Sequence, residues 1–256
     1  MTARGGPPSR DVDLARLRPW AERARWFSGW DLSEVRPRAL EPGPPWDYER
    51  RVRELGAASS TILDLGTGGG ELLASLRPDL LGRVVATEEW AVNAPVAFRR
   101  LSRLAISVVR AKSARLPFQS GSLDLVMDRH EEFDPEEVDR VLVPGGSFVT
   151  QQVGPHDWRE LRQFFPRMTD FGDLRSGYGR SFRQLGFHVE SFEHEHRVAY
   201  PSLGEFVFML LVAPWTIPEF DVERDLDALL AFESAQGTEE GLVVTECRYL
   251  LVGRKS

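Results

Sequence analysis

The stretch Thr61-Ile62-Leu63-Asp64-Leu65-Gly66-Thr67-Gly68-Gly69-Gly70-Glu71 decides the fold. Its first five residues form an apolar run of strand length, Gly66 to Gly70 make a glycine turn, and a helix fits over 70–77. In a strand, glycine turn and helix of this kind, backbone N–H groups at the helix start meet a bound ligand. The spacing excludes two such ligands. A Walker phosphate loop ends in Gly-Lys-Ser/Thr, and no lysine follows Gly70. A dinucleotide turn needs Gly-x-Gly-x-x-Gly; counted from Gly66 its third position is Glu71, and counted from Gly68 it is Leu73. What fits is Asp-x-Gly-x-Gly-x-Gly, from Asp64 to Gly70.

Outward from this turn, short apolar runs alternate with helical periods. Strands are expected at 61–65, 83–87, 106–110, 123–128 and 147–153, with helices at about 70–77, 90–104 and 135–141. That alternation implies βαβ units and a parallel sheet with helices on both faces. Farther on, helices are expected near 157–165 and 174–185, and strands at 187–199 and 241–252 should close the chain as an antiparallel hairpin. Between those strands lies an insertion, 201–236, with a helix over 222–233 and the aromatic residues Phe206, Phe208, Trp215 and Phe220. Its place beside the carboxyl edge of the sheet suits a substrate lid. Before the sheet, Arg4 to Pro8 read as a disordered leader, Val12 to Trp30 as one or two short helices, and 46–57 as another after a Pro-rich break. The expected domains are a helical, flexible cap over 1–45 and a single α/β domain over 46–256.

An acid at the end of the first strand suits a ligand that carries a cation. The methionine end of S-adenosyl-L-methionine has an ammonium, a carboxylate and a sulfonium. Asp64 can meet the ammonium directly or through water, while Gly66, Thr67, Gly68 and Gly70 let the backbone come close. The second strand ends in Glu88-Glu89-Trp90. A carboxylate there can accept from both hydroxyls of a ribose, and Glu88 fits best; Glu89 is expected beside it. Trp90 serves equally as an adenine cover or a packing residue.

Downstream, Leu116-Pro117-Phe118 leads into Leu123-Asp124-Leu125-Val126, and Val143-Pro144-Gly145-Gly146 precedes the next strand. With the glycine motif and the second-strand acid, these marks make residues 61–153 resemble the class I S-adenosylmethionine-dependent methyltransferases, in the small-molecule branch that includes the quinone-biosynthesis type. The resemblance implies a doubly wound, mostly parallel, seven-stranded sheet of Rossmann-like type with a C-terminal antiparallel hairpin. It also implies methyl transfer, with S-adenosyl-L-homocysteine as product. One position departs from the family. Where an Asp commonly bonds the adenine amino group stands Lys112, which cannot accept that hydrogen bond. Ser113, Ala114 and backbone groups are expected to hold the adenine instead.

In this fold the residues after the fourth strand face the reacting sulfur. Here they are Asp128-Arg129-His130-Glu131-Glu132-Phe133-Asp134, and Asp128 and Arg129 are expected at the cofactor. No Asn/Asp-Pro-Pro-Tyr/Phe set is present, which counts against exocyclic amines of adenine and glutamine side chains as acceptors. His130 has the ordinary pKa of a general base, with Glu131 as alternative or partner; His156 is a weaker candidate. His194-Glu195-His196 lacks a third placed ligand, so no metal is expected and an exposed strand face is the simpler reading.

Composition narrows the partners. The 256 residues carry a formal charge of -7, which argues against a broad nucleic-acid surface. Arginines do crowd the first 55 residues (Arg16, Arg18, Arg23, Arg25, Arg36, Arg38, Arg50, Arg51 and Arg53), and they alone support an RNA or tRNA base as acceptor. A noncatalytic cofactor-binding protein is the third reading, motivated by Lys112. One cysteine, Cys247, excludes an internal disulfide, and its flanks make it a buried small residue. No apolar window spans a bilayer and Met1 to Arg10 is no secretory signal, so a cytoplasmic protein without membrane contact is expected.

Overall fold

The computed structural model describes residues 10–256; the expected leader at 4–8 lies outside them. A helix, α1 (Arg10–Arg25), comes first, as one continuous element despite Pro19. A two-residue strand, β1 (Arg38–Ala39), and α2 (Tyr48–Gly56) follow. The alternating part then runs β2 (Thr61–Leu65), α3 (Glu71–Leu76), β3 (Arg83–Thr87), α4 (Ala94–Leu101), β4 (Ser107–Val109), β5 (Leu123–Arg129), α5 (Pro135–Val141) and β6 (Leu142–Val153). The chain ends with α6 (Leu174–Gln184), β7 (Phe187–Tyr200), α7 (Leu203–Val212), α8 (Leu226–Gln236), β8 (Gly237–Thr238) and β9 (Gly241–Lys255).

The sheet order is β1-β7-β9-β6-β5-β2-β3-β4, with β8 paired to β9. Strands β2 to β6 are mutually parallel, and β9 inserts antiparallel between β6 and β7. The doubly wound sheet with a C-terminal antiparallel hairpin is therefore as expected, but it has nine strands where seven were expected. The two additions are two residues each, β1 on the outer side of β7 and β8 on the side of β9 away from β7, too short to leave a sequence pattern. Other boundaries also move. The helix expected over 157–165 is only a 3-10 turn at Arg159–Leu161, and the helix expected over 90–104 starts at Ala94 because Pro95 fixes its first turn. The fifth long strand begins at Leu142, five residues early.

Alternation along the strands divides the core in two. One face packs Ile62, Val84, Leu125, Met127 and Leu250 against α2, α3 and α4. The other packs Leu63, Val126, Phe148 and Leu251 against α5 and α6. A third cluster joins α1, the 158–165 turn and the insertion through Leu14, Leu17, Trp158, Phe165, Phe206 and Phe232. The insertion is thus a packed layer with α1 as its partner. Among the described residues no helix is long and apolar enough to cross a membrane.

Candidate active site

The parallel strands β2, β3 and β5 all end at one edge, where open α/β sheets bind ligands. Asp64, on β2, is buried there, and burial with Glu88 nearby pushes its carboxyl up to about 7. The glycine turn follows. Gly66 and Gly68 have φ of +58° and +63°, a region that side-chain-bearing residues rarely adopt. A side chain at either position would also crowd a neighbour. A Cβ on Gly66 would lie 2.5 Å from Glu131 Oε2, and one on Gly68 would lie 3.0 Å from Trp30 Cβ. Glu88, at the end of β3, accepts from Gly68 N at 2.7 Å and from Trp90 N at 2.8 Å. Burial raises its pKa too.

Beyond β5 the chain turns through His130, whose φ of 68° is uncommon for a residue with a side chain. A buried network holds that turn. Asp128 accepts from Thr150 Oγ1 at 3.0 Å, Gln152 Nε2 at 2.8 Å and Glu131 N at 3.1 Å. Gln152 Nε2 also donates to Glu131 O at 2.6 Å. Full burial holds Asp128 well above the usual carboxylate range. Glu131 is directed over Gly66, accepts from Ser113 Oγ at 3.1 Å, and is pushed up to about 7 by burial and by Glu88 and Glu89. His130 goes the other way. Burial first, then Arg248 and Arg129, hold its imidazole well below its ordinary range, so it is neutral near pH 7.

Of the residues singled out in the sequence, Asp64, Gly66, Thr67, Gly68, Gly70, Glu88, Ser113, Asp128 and Glu131 converge at this edge. Glu89 pairs with Lys112 at 3.2 Å, so Lys112 points outward. Ala114 is exposed. Arg129 lies on the opposite face of β5 from Asp128, the face that carries Met127 and packs on α2. His156 is exposed and bound at 2.5 Å to Glu195, which Arg159 also holds. His196 is a correction: it is buried, with Nε2 3.7 Å from Glu246, and not on an exposed face. Cys247 is buried, as its flanks implied.

The aromatic N-terminal segment, including Trp30, and the 201–236 insertion were expected to enclose the acceptor, and Trp90 to cover the adenine or to pack. Trp30 stacks on Trp215 at 6.1 Å, and Trp90 meets Trp215 edge-on at 5.7 Å, so three indoles roof the glycine turn. Gly29 N anchors the N-terminal segment by donating to the buried Asn93 Oδ1 at 2.9 Å. Three buried polar atoms in this region have no partner: the Tyr48 hydroxyl, Thr67 Oγ1 and His130 Nδ1. Burying such a group unpaired costs about 1–3 kcal/mol, so a site that keeps three is shaped for a ligand. The polar pair Gln151-Gln152 closing an apolar strand was the one available signal for the Asp128 network.

Residues 63–150 match the family model described as a methyltransferase domain. That segment is similar to methyltransferase domains. No curated protein matches the chain at a significant level of sequence similarity. Solved structures extend the likeness over nearly the whole chain. A protein of unknown function from Deinococcus radiodurans R1 is 14% identical with a TM-score of 0.62, over 93% of this chain and 100% of that one. The geranyl diphosphate C-methyltransferase of Streptomyces coelicolor A3(2), solved with Mg2+, geranyl-S-thiolodiphosphate and S-adenosyl-L-homocysteine, is 15% identical with a TM-score of 0.53. That match covers 98% of this chain and 100% of that one. The [4+2]-cyclase SpnF is 16% identical with a TM-score of 0.54, over 98% and 97%. At these identities the likeness shows the fold.

The N-terminal arginines form no basic surface. Seven of the nine have an acid within 4 Å: Arg16 with Glu233, Arg18 with Glu223, Arg23 with Glu34, Arg38 with Glu240, Arg50 and Arg51 with Glu54, and Arg53 with Asp79. That removes the feature on which an RNA acceptor rested.

Proposed function

We propose that this protein transfers a methyl group from S-adenosyl-L-methionine to a small-molecule acceptor, leaving S-adenosyl-L-homocysteine. The observation that carries the reading is Asp64, buried at the strand end beside a glycine turn whose Gly66 and Gly68 have positive φ and lie close under Glu131 and Trp30. The residues fit the cofactor in charge as well as in shape. Asp64, Glu88 and Glu131 crowd one edge; burial raises the pKa of all three and Glu88 raises Asp64 and Glu131 further, and a ligand with an ammonium and a sulfonium relieves that crowding. Asp64 would hold the ammonium and Glu88 the ribose hydroxyls, while Thr67 Oγ1 gains the partner it lacks. Ser113 and Trp90 would flank the adenine, with Trp30 and Trp215 excluding water above.

When bound, the cofactor supplies an electrophilic methyl group on a positively charged sulfur. Methyl displacement is in-line, so fixing the acceptor's line of approach is much of the catalysis. The Asp128–Thr150–Gln152 network supports this by locking the β5 turn. Where the acceptor must lose a proton, Glu131 is the better base. A carboxyl near 7 is half ionised at working pH and can accept, whereas the neutral His130 is too weak a base for the task. His130 then serves as a hydrogen-bonding wall.

Titration calorimetry with S-adenosyl-L-methionine tests the reading. Saturable binding is expected, and Asp64→Ala should abolish it. Absence of heat at about 1 mM ligand would end the proposal. An RNA methyltransferase would instead bind RNA with an affinity that falls steeply with salt.

A further inference from the structure

The end of β5 on the α2 face carries the opposite charge from the glycine turn. Arg129 shares that face with Gln151 and, through the β6–β9 register, with Arg248. Arg248 is neutralised. Asp157 accepts from its Nη1 and Glu246 lies 3.2 Å from its Nη2. Arg129 and its neighbour Arg36 are not: among the described residues neither has a carboxylate within 4 Å. The one acid near Arg129, Glu49, is bound to Arg53 at 3.1 Å. Beside Arg129 lie the Tyr48 hydroxyl, on a side chain only 5% exposed and without a partner, and His130 with an unpartnered Nδ1. Both guanidiniums reach solvent, while the buried Tyr48 hydroxyl lies between Arg129 and the carboxyls of Asp64 and Asp128.

We infer that Arg129, Arg36 and the Tyr48 hydroxyl form the subsite for an anionic group, a carboxylate, of the acceptor. This rests on the methyltransferase reading above and names the class of molecule that would be methylated. Three observations support it. A guanidinium offers paired donors that match a carboxylate's two oxygens, and a phenol donates a third hydrogen bond. The neutral His130 does not repel an anion and can donate from either ring nitrogen according to tautomer. The separation of sign is also functional. The cationic cofactor is drawn to Asp64, Glu88 and Glu131, and an anionic acceptor to Arg129 and Arg36, with Tyr48 at the boundary between them.

The test uses benzoate and its uncharged counterpart benzamide, titrated into the full-length protein saturated with S-adenosyl-L-homocysteine. Benzoate should bind at least about tenfold more tightly than benzamide, and Arg129→Gln should erase that ratio. Tyr48→Phe supplies a second sign. It should weaken benzoate yet raise the Tm of the ligand-free protein by about 2 °C, because it removes a buried hydroxyl that has no partner. A structural hydroxyl would lower Tm instead. Equal binding of benzoate and benzamide, or an acid-to-amide ratio unchanged in Arg129→Gln, overturns the inference. Failure of S-adenosyl-L-homocysteine itself to bind the wild type overturns the underlying methyltransferase reading instead.

Discussion

Replacing Asp64 by asparagine should make the protein more stable while disabling its site. In the folded chain this carboxyl titrates near 7, against an ordinary value of 3.8, chiefly because burial disfavours its charge. The sign follows directly. A carboxyl whose pKa is raised by folding costs nothing below its unfolded pKa, and its penalty grows as pH rises toward the folded value. A shift of about three units corresponds to about 4 kcal/mol at pH 8 and under about 2 kcal/mol at pH 5. The substituted amide would carry the same shape without the charge. For a domain of this size each kcal/mol moves Tm by about 2–4 °C. Thermal unfolding of wild type and Asp64→Asn between pH 5 and 8 should therefore diverge with pH, the variant gaining up to about 10 °C at pH 8 and far less at pH 5. The same variant should lose calorimetric binding of S-adenosyl-L-methionine. A variant no more stable than wild type at pH 8, or a gain equal at both pH values, would refute the claim that this carboxylate is held in place for a cation.

Binding of S-adenosyl-L-methionine should strengthen as pH rises from 6 to 8, since Asp64 and Glu131 must shed protons near 7 to meet a cation. In Glu131→Gln the slope of log affinity against pH should drop by about one proton, read by calorimetry; an unchanged slope would remove Glu131 from the site. Asp157→Asn should destabilise by about 3 kcal/mol in urea unfolding, because it strips the buried Arg248 of its main counter-charge. Gly177→Ala should stabilise by about 0.5–1 kcal/mol in the same assay, since this helical glycine has open space where a Cβ would stand.

The parallel half of the sheet was legible because its central strands are mostly buried and read as short, largely apolar runs. Thr61–Leu65 and Arg83–Thr87 fall on their expected bounds for that reason. The 157–165 segment reads as a helix because Trp158, Leu161 and Phe165 share a helical spacing; all three are buried as that spacing implies, but the backbone closes mainly i→i+3 bonds and only a 3-10 turn forms. The strands β1 and β8 could not be seen at all, because two residues carry no period. The N-terminal arginines misled in another way. Their sequence density suggested a charged surface, but their partners, such as Glu223 and Glu233, lie some 200 positions along the chain.

The reacting end was the least legible part, and the reason lies in a period of two. Asp128 and Arg129 are adjacent in sequence and were expected together at the cofactor, yet the strand sends them to opposite faces. One enters a buried network with Thr150 and Gln152 and acts through it on the turn; the other faces Tyr48 and Arg36 with no acid to neutralise it. A motif tells which residue types arrive at a strand end. Only the register, which β6 and β9 impose across the sheet, tells which of them meet. The cofactor half of the site depends on backbone geometry that glycine spacing encodes locally, so it could be read early. The acceptor half is assembled from α2, β5, β9 and the Val35–Arg36 segment, elements distant in sequence. Its character appears only as groups left unpaired, and an unpaired Tyr48 hydroxyl is a property of the folded chain alone.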